Sequence, residues 1–331
     1  MKIFITGACG FIGSHLVEML VKKNYKVKAL TYYNPNNDIG CLKYINPKIL
    51  DNLEIIQGDV RDNYFIKEAS KGYDCIIHLA ALIGIPYSYK SVSTYIETNI
   101  NGTNNILNAV RENSIDKVVI TSTSEVYGSA QFVPIKETHP LNAQSPYAAS
   151  KIAADQLALS YYKSFSTPVT IIRPFNNYGP RQSTRAIIPT IINQILDGNK
   201  TLRIGNIYPT RDFTYVEDTS QAFVNVLKNK RSKGEIINVG SNFEISIKDI
   251  IEILKNEFGF DFRIKIEKKR KRSISSEVDR LYSSNIKAKK LLNWTPNHGG
   301  LLGFKKGLAK TIKWYEKNYK SKKLRSNNYA I

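Results

Sequence analysis

The sequence predicts an α/β protein in which a doubly wound parallel sheet is followed by a smaller α/β lobe. Short apolar runs rich in β-branched residues recur through the first 180 residues, and each precedes a longer stretch with helical spacing. Strands buried on both faces give such continuous runs, because crossover helices cover a parallel sheet. The runs lie about 25 to 45 residues apart, which is typical of strand–helix–strand units. A chain of 331 residues is also long enough to bury a large core.

Six strands are predicted in this first part, at residues 2–6, 26–31, 53–57, 75–79, 117–121 and 169–173. The rhythm then changes, and the second part is predicted to contain strands at 202–204, 212–216 and 236–239. Its predicted helices include 187–197, 247–258 and 302–317, with another through Ala222 and Leu227. The predicted domains are therefore 1–180, 181–318 with returns to the main sheet, and a basic tail, 319–331, that is expected to fray.

Composition excludes several protein classes. The chain is 42% hydrophobic and 23% charged, as in soluble globular proteins, and no apolar run approaches the roughly 18 residues of a membrane span. Cys9, Cys41 and Cys75 form no CxxC pair, so neither a disulfide framework nor a metal site is predicted, and a cytoplasmic location is expected. The apolar stretch after Met1 is too short for a signal peptide, so the mature chain is expected to begin there.

The positive charge of the chain is concentrated in its second part. The formal net charge is +20. Residues 1–180 carry 17 basic and 14 acidic side chains, whereas residues 181–331 carry 31 and 14. This excess favours an anionic substrate, a polyanion or a lysine-rich solvated surface.

A glycine-rich loop follows the first strand and reads Gly-Ala-Cys-Gly-Phe-Ile-Gly. Glycines permit the tight strand-to-helix turn, the backbone approach to a pyrophosphate and close helix packing, while the helix N-terminus offers N–H groups and a positive dipole. Gly7, Gly10 and Gly13, with the backbone of Phe11 and Ile12, are therefore the candidate pyrophosphate-binding residues of a dinucleotide site.

The GxxGxxG spacing resembles that of the extended branch of the short-chain dehydrogenase/reductase superfamily, which implies a Rossmann-like fold. Later motifs agree with it in order and spacing. Asp59 and Val60 match the segment whose Asp holds the adenine amine, Ala80 and Ala81 match the strand end that lines the dinucleotide, and Asn99 matches a helix asparagine of that family. The resemblance implies a tightly held, recycled NAD or NADP.

Thr31 lies at the end of the second strand, where an acidic residue normally binds the ribose 2′-OH of NAD and a basic one accepts the 2′-phosphate of NADP. Thr31 replaces the Asp that is usual in this family. The change removes a charge that would repel a phosphate without adding one that would attract it. The sequence therefore leaves NAD and NADP open and favours NADP slightly.

Tyr147 and Lys151 form a YxxxK pair at i and i+4, on one face of a helix that starts after Pro146. A free phenol, with a pKa of about 10, is a poor base at neutral pH, but a nearby ammonium and a positive nicotinamide favour its ionised form. In the family this Tyr is the base for carbinol oxidation, and the Lys also bonds the nicotinamide ribose. Both residues are therefore predicted to be catalytic and cofactor-binding.

Thr123, Ser124 and Glu125 follow the fifth strand. The triplet resembles the Thr-Ser-Glu or Thr-Asp-Glu of nucleotide-sugar 4,6-dehydratases. The resemblance implies that Thr123 holds the sugar C4 hydroxyl while a hydride passes from C4 to the nicotinamide. Glu125 then removes the acidified C5 proton as the C6 hydroxyl leaves, and the hydride returns to C6. A serine is too weak an acid to protonate that hydroxyl well, so Glu125 or a water relay is expected to do so.

The substrate-binding candidates come from matches to the nucleotide-sugar lobe of the same branch. Two arginines suit a diphosphate because each donates two parallel hydrogen bonds to its oxygens. The predicted set is Ser88, Asn176, Arg185, Arg211 and Arg272. The sequence around these residues and in the loops of the first domain resembles that of dehydratases that act on GDP- or UDP-N-acetylglucosamine in legionaminic acid-type pathways.

Two other functions remain open. A nucleotide-sugar 4-epimerase would share Tyr147 and Lys151 but would lose no water, and Glu125 argues against it. A non-enzymatic NAD(P)-binding scaffold could meet nucleic acid through the basic cluster 268–272, but no base-reading helix is visible. The family also implies a homodimer, here through residues 95–109 and 147–162, and no membrane partner is expected.

Overall fold

The computed structural model describes residues 1–267 and 276–322. The strands are β1 (Lys2–Thr6), β2 (Lys26–Tyr32), β3 (Glu54–Gly58), β4 (Cys75–His78), β5 (Lys117–Thr121), β6 (Val169–Pro174), β7 (Asn176–Tyr178), β8 (Thr201–Ile204), β9 (Thr210–Tyr215), β10 (Ile236–Val239), β11 (Glu244–Ser246), β12 (Arg263–Ile266) and β13 (Arg280–Leu281). The α-helices are α1 (Phe11–Lys22), α2 (Pro47–Leu50), α3 (Asn63–Ala69), α4 (Ile85–Ser88), α5 (Val92–Tyr95), α6 (Gly102–Glu112), α7 (Pro146–Phe165), α8 (Ile187–Leu196), α9 (Val216–Lys228), α10 (Ile247–Phe258), α11 (Ile286–Leu292) and α12 (Gly300–Lys322).

Seven parallel strands form the large sheet, in the order β3-β2-β1-β4-β5-β6-β10. The strand order reverses between β1 and β4. Ligands of open α/β sheets bind at such a switch point, beyond the carboxyl ends of the strands. The prediction of a doubly wound, Rossmann-like sheet is confirmed, and the sheet places the glycine loop after β1 beside the loop after β4.

The two faces of the sheet are covered by separate apolar cores. Along β1, Ile3 and Ile5 belong to one buried cluster, whereas Phe4, between them, belongs to the other. This alternation follows from the two-residue period of a strand. Because both faces are buried, β1 appears in the sequence as an unbroken apolar run.

The second part of the chain contributes a smaller lobe and also returns to the large sheet. Strand β9 pairs with β11, β13 and β7, and β8 pairs with β12. Helix α9 packs against α1, and β10 joins the large sheet beside β6. An apolar cluster with Ile191, Ile250 and Phe304 at its centre fills the lobe.

Two expectations fall outside the described residues: Arg272, with the basic cluster around it, and the tail beyond residue 322. Among the helices that the structure does describe, none combines the length and apolar character needed to cross a bilayer. Within the same residues, no cluster of three or more His, Cys, Asp or Glu side chains is arranged to hold a metal ion.

Candidate active site

The glycine loop turns sharply between β1 and α1, and its glycines leave no room for side chains. Gly7 has a positive φ of 69°, and a Cβ atom there would lie 2.6 Å from the backbone nitrogen of Ala80. A Cβ on Gly13 would lie 2.3 Å from the Gly7 carbonyl oxygen. Gly10 caps α1, whose first two residues are Phe11 and Ile12, and no acidic residue stands in the first turn. The result is a helix N-terminus open to close approach by an anion.

Hydrogen bonds inside the sheet hold the facing loop after β4. The Thr6 hydroxyl lies 2.7 Å from His78 Nδ1 and accepts a 3.3 Å bond from the Ala80 backbone nitrogen. His78 is fully buried, and this burial lowers its pKa to about 3, so the imidazole is neutral. Ala81, next in the chain, is half-buried. This network fixes the two loops at the switch point relative to each other.

Asn99 lies in a π-helical turn, Ile96–Asn101, and ties three segments together. Its side chain accepts from the Leu82 backbone nitrogen at 2.8 Å and donates to the Leu82 carbonyl at 3.0 Å and the Ser150 hydroxyl at 2.9 Å. Asn99 thus connects the loop after β4 to helix α7. Its amide group is occupied by protein partners, which indicates a supporting role beside the cofactor.

The far end of the predicted cofactor site lies at the ends of β2 and β3. Thr31 is buried, and its hydroxyl donates to the Ile56 carbonyl at 3.3 Å. Asp59 forms a two-pronged ion pair with Arg61, which lowers the pKa of the Asp59 carboxyl. The exposed side chain at this strand end is Tyr32, whose hydroxyl lies 3.5 Å from Arg61 Nη2. Sequence reasoning missed Tyr32 and Arg61, although both stand beside predicted residues.

Val60, which follows Asp59, is buried and contacts the helix that carries the next part of the site. Its carbonyl accepts a 3.0 Å bond from the Asn105 side chain. Gly102 faces it closely, because a Cβ there would come within 3.0 Å of the Val60 side chain. The segment is therefore positioned by α6.

Helix α7 carries the predicted catalytic pair. Its N-cap, Ser145, accepts a 3.1 Å hydrogen bond from the Ala148 nitrogen, and Pro146 occupies the first turn. Tyr147 and Lys151 are both buried, one turn apart. Lys151 Nζ donates to the Thr121 carbonyl at 2.7 Å, which clamps the helix to the end of β5.

Thr123 and Glu125 stand at the start of a 3₁₀ turn, Ser124–Tyr127, directly after β5. The Thr123 hydroxyl accepts from the Glu125 nitrogen at 3.2 Å and is hydrogen-bonded to the Tyr147 phenol. Both Thr123 and Glu125 are half-buried, whereas Ser124 is 2% exposed. The structure thus brings Thr123, Glu125 and Tyr147 together and turns Ser124 into the protein.

Burial dominates the ionisation of the pair on α7. Burial raises the pKa of Tyr147, the bond from Thr123 opposes that shift, and the charge of Glu125 adds to it. Burial also lowers the pKa of Lys151, and the nearby Asp155 carboxylate opposes this effect. That Lys151 and the nicotinamide together favour the ionised phenol stays a prediction, and within the protein Lys151 Nζ donates to the Thr121 carbonyl.

The predicted substrate residues are distributed around the opening. Asn176 Oδ1 is buried and has no hydrogen-bond partner among the described residues. Arg211 is 8% exposed and lies 3.5 Å from Glu277. Sequence reasoning gave no role to Glu277, which stands in the segment Ser276-Glu277-Val278. Ser88 is fully buried, and its hydroxyl donates to the Ile85 carbonyl at 2.7 Å.

Arg185 is exposed, and its charge acts on Tyr95, whose ring contacts that of Tyr147. Burial raises the pKa of Tyr95, and the bond to the Gly84 carbonyl and the charge of Arg185 act in the opposite direction. The Tyr95 ring meets the Tyr147 ring edge-on, with centroids 6.3 Å apart. These contacts place an aromatic wall beside the candidate catalytic phenol.

Comparisons with known proteins give the same picture for nearly the whole chain. A family model described as GDP-mannose 4,6 dehydratase matches residues 4–311. A dTDP-D-glucose 4,6-dehydratase of Homo sapiens is 32% identical, over 96% of this chain and 91% of its own length. A putative UDP-glucose 4-epimerase of Methanocaldococcus jannaschii is 33% identical, over 96% and 99%.

A solved structure shows the same fold. The UDP-glucuronic acid 4-epimerase of Bacillus cereus, in complex with UDP-glucuronic acid and NAD, superposes with a TM-score of 0.86. It is 32% identical to this chain and covers 96% of it and 100% of its own length. Similarity to both dehydratases and epimerases leaves the choice between the two reactions to the residues of the site.

Proposed function

The chain belongs to the GDP-mannose 4,6-dehydratase family of extended short-chain dehydrogenases/reductases, and from this membership we propose that it is an NAD-dependent nucleotide-sugar 4,6-dehydratase. The observation that carries the proposal is the position of Glu125. Its carboxylate follows Thr123 in one tight turn and acts electrostatically on Tyr147. A 4-epimerase needs the hydroxyl and the phenol, whereas only elimination of water needs a base in this position.

The structure fits a dinucleotide at the switch point. A Cβ atom on Gly7 or Gly13 would collide with the backbone of Ala80 or Gly7, so glycine at both positions permits the tight turn that leads into α1. Gly10 opens the α1 N-terminus toward this dinucleotide, and Tyr147 and Lys151 lie where they would reach the nicotinamide ribose. When bound, NAD supplies the acceptor and later the donor of the sugar hydride. We propose NAD rather than NADP, because the Bacillus cereus relative contains NAD and the Thr31 side chain offers no positive charge.

Three side chains are proposed to orient or transfer the protons of the reaction. Thr123 orients the C4 hydroxyl, and Tyr147 Oη removes its proton as the C4 ketone forms. The ketone acidifies the C5–H bond, so Glu125 can remove that proton while the C6–O bond breaks. The Glu125 carboxyl then gives the proton to the departing C6 hydroxyl, and water leaves. Ser124 is buried and too weakly acidic for this step. Return of the hydride to C6 requires a proton at C5, and the proton that Tyr147 took from the C4 hydroxyl balances it.

Anionic recognition on the substrate side is proposed for Asn176, Arg211 and Arg272, with Arg185 at the rim and Ser88 beneath the sugar. The buried, unpartnered Asn176 Oδ1 is an acceptor, so it suits a hydroxyl donor of the sugar, and only the amide nitrogen of Asn176 could donate to the diphosphate. GDP- or UDP-N-acetylglucosamine is the proposed substrate, from the resemblance of the site loops. A homodimer or higher homo-oligomer through residues 95–109 and 147–162 is also proposed, and the exposed Ile96 and Tyr162 within these segments support it.

The test is incubation of the purified protein with GDP-, UDP- and dTDP-hexoses, including both N-acetylglucosamine forms, read by mass spectrometry. A dehydratase gives a product lighter by one water, whereas an isobaric product would establish the 4-epimerase and contradict the proposal.

Glu125→Gln separates the steps of the reaction. It should still reduce bound cofactor on mixing with substrate, visible in the near-ultraviolet absorbance, yet release little dehydrated product. General-base removal predicts a loss of roughly 10²- to 10⁴-fold. Glu257→Gln, on the exposed face of α10, is the matched control and should keep full turnover. Full turnover by the Glu125 variant would exclude it as the essential base.

A further inference from the structure

A buried ion pair lies behind the catalytic residues. Asp155 is fully buried on α7, and Arg173, on β6, is 1% exposed. Asp155 Oδ2 accepts a 3.0 Å bond from Arg173 Nε and lies 2.9 Å from Nη2. Neither residue was singled out in the sequence, and neither touches the opening of the site.

Asp155 ties α7 to the strand end that carries Thr123. Tyr147, Lys151 and Asp155 follow one another at four-residue intervals, so they share one face of the helix. Lys151 clamps the Thr121 carbonyl, and Asp155 Oδ2 accepts a 2.7 Å bond from the Ser122 hydroxyl. Two successive residues before Thr123 are therefore bonded to the helix that carries the phenol.

Arg173 extends the connection to the turn that carries Glu125. Its Nη1 donates to the Tyr127 hydroxyl at 2.9 Å, and its guanidinium lies 5.0 Å from the centre of the Tyr127 ring. Tyr127 is fully buried at the end of the Ser124–Tyr127 turn and in turn donates to Asn238 Oδ1 at 2.7 Å. Arg173 thus joins the base-bearing turn to the pair on α7.

We propose that Asp155 and Arg173 are positioning residues that set Thr123 and Glu125 relative to Tyr147, an inference that rests on the proposed function. Folding stability alone gives little reason for the pair. Removing two charges from water costs about as much as their attraction returns, and apolar residues of similar volume often stabilise a core at least as well. Catalysis gives a reason, because a displacement of about 1 Å can lower a rate roughly 10²-fold.

The decisive variant is Asp155→Leu with Arg173→Met, which removes both charges of the pair together and leaves the Lys151 bond to the Thr121 carbonyl in place. We expect a melting temperature at or above that of the parent protein, an unchanged KM, since Asn176 and Arg211 lie on other elements, and a kcat lower by about 10²-fold. A folded double variant with parental kcat would overturn the proposal. A loss of activity no larger than the fraction of unfolded protein would overturn it too.

Tyr127→Phe keeps both charges and the ring, so it tests the same idea if the double variant does not fold. It removes the bond from Arg173 to the Glu125 turn, together with the bond that the Tyr127 hydroxyl donates to Asn238. Dehydrated product should form about tenfold more slowly, while cofactor reduction by substrate keeps its parental rate. Equal effects on both steps, or no effect on either, would contradict the positioning of Glu125 by Arg173.

The two proposals fail in different ways. A parent protein that epimerises its substrate overturns the dehydratase proposal alone, and the double variant is then compared by epimerase turnover, which needs the same Thr123 and Tyr147. If no nucleotide sugar reacts, NADH affinity read by its fluorescence replaces turnover, because Lys151 shares the face of α7 that the pair holds. A double variant that binds NADH as tightly as the parent would then overturn the positioning role.

Discussion

The proposed dinucleotide region and the proposed substrate region would each hold a diphosphate, and the two regions are built in different ways. At the dinucleotide region, a bare glycine loop and the N-terminus of α1 offer backbone groups. At the substrate region, side chains are offered, among them Arg211 and Asn176. The charge of the chain follows this division, since residues 1–180 are nearly balanced and residues 181–331 carry most of the excess.

This contrast predicts different sensitivities. A site made of backbone depends on volume and on the buried hydrogen bonds that fix its loops. The affinity of a site made of charged side chains depends on the opposite charges that pair with those side chains. Mutations and pH should therefore affect the stability of the first region and the substrate affinity of the second.

Acid should have the largest effect, and it should act on the dinucleotide region. Burial, helped by the charge of Arg181, lowers the pKa of His15 to about 4, and burial lowers that of His78 to about 3. Between pH 6.5 and 4 the unfolded chain therefore binds protons that the folded chain does not, so stability falls as the pH falls. His15 alone contributes about 3 kcal/mol to this loss.

Urea unfolding at several pH values measures this slope, with His15→Gln as the test variant. The variant should show a flatter decline of the unfolding free energy between pH 6.5 and 4. A slope equal to that of the parent would mean that His15 is protonated in the folded protein as readily as in the unfolded one.

Gly13→Ala should have the next largest effect. Its methyl group would lie 2.3 Å from the Gly7 carbonyl oxygen and 2.9 Å from Ala8 Cα, and these backbone atoms cannot swing aside. Overpacking of this kind costs roughly 2 kcal/mol, and NAD affinity should fall with it. Calorimetric titration with NAD measures the affinity, and Gly72→Ala, in open space at positive φ, shows the effect of backbone strain without a close contact. Equal losses in the two variants would exclude a role for the close contact.

The sequence predicted the large sheet well, because a buried parallel strand appears as a continuous apolar run. The predicted 117–121 and 236–239 coincide with β5 and β10. Strands of two or three residues, such as β13, give no such run and were missed. The candidate catalytic residues could be predicted because they lie within short motifs, whereas Asp155 and Arg173 meet only through the packing of α7 on β6. No local pattern could have paired them.

Arg211→Met tests the substrate region. It keeps most of the buried stem of the side chain and removes the charge, and loss of the pairing with Glu277 should lower the unfolding free energy, which is measured alongside. A charged hydrogen bond contributes about 1.5 to 3 kcal/mol, so KM for the nucleotide sugar should rise roughly 10- to 100-fold while NAD affinity stays the same. Steady-state kinetics with separately measured NAD binding checks both values. A fall in NAD affinity instead would show that Arg211 contributes to the dinucleotide region and not to the substrate region.

Glu277→Gln should have the smallest effect on substrate affinity. It tests whether the counter-charge of Arg211, rather than backbone, controls binding in the substrate region. Glu277 Oε1 lies 3.5 Å from Arg211 Nη2, both side chains are largely buried, and the Glu277 carbonyl accepts bonds from Ser129 and Gln144. The amide keeps the shape and removes the counter-charge. If the carboxylate competes with the substrate diphosphate for Arg211, KM should fall a few-fold, because a diphosphate no longer displaces an ion pair that contributes about 1 kcal/mol or less. If it instead orients Arg211 for the diphosphate, KM should rise by a similar factor. Either change would confirm that counter-charge governs this region. An unchanged KM would show that the backbone carbonyls of Thr210 and Asp279, which accept from Arg211 Nη1, position Arg211, as backbone does at the dinucleotide region.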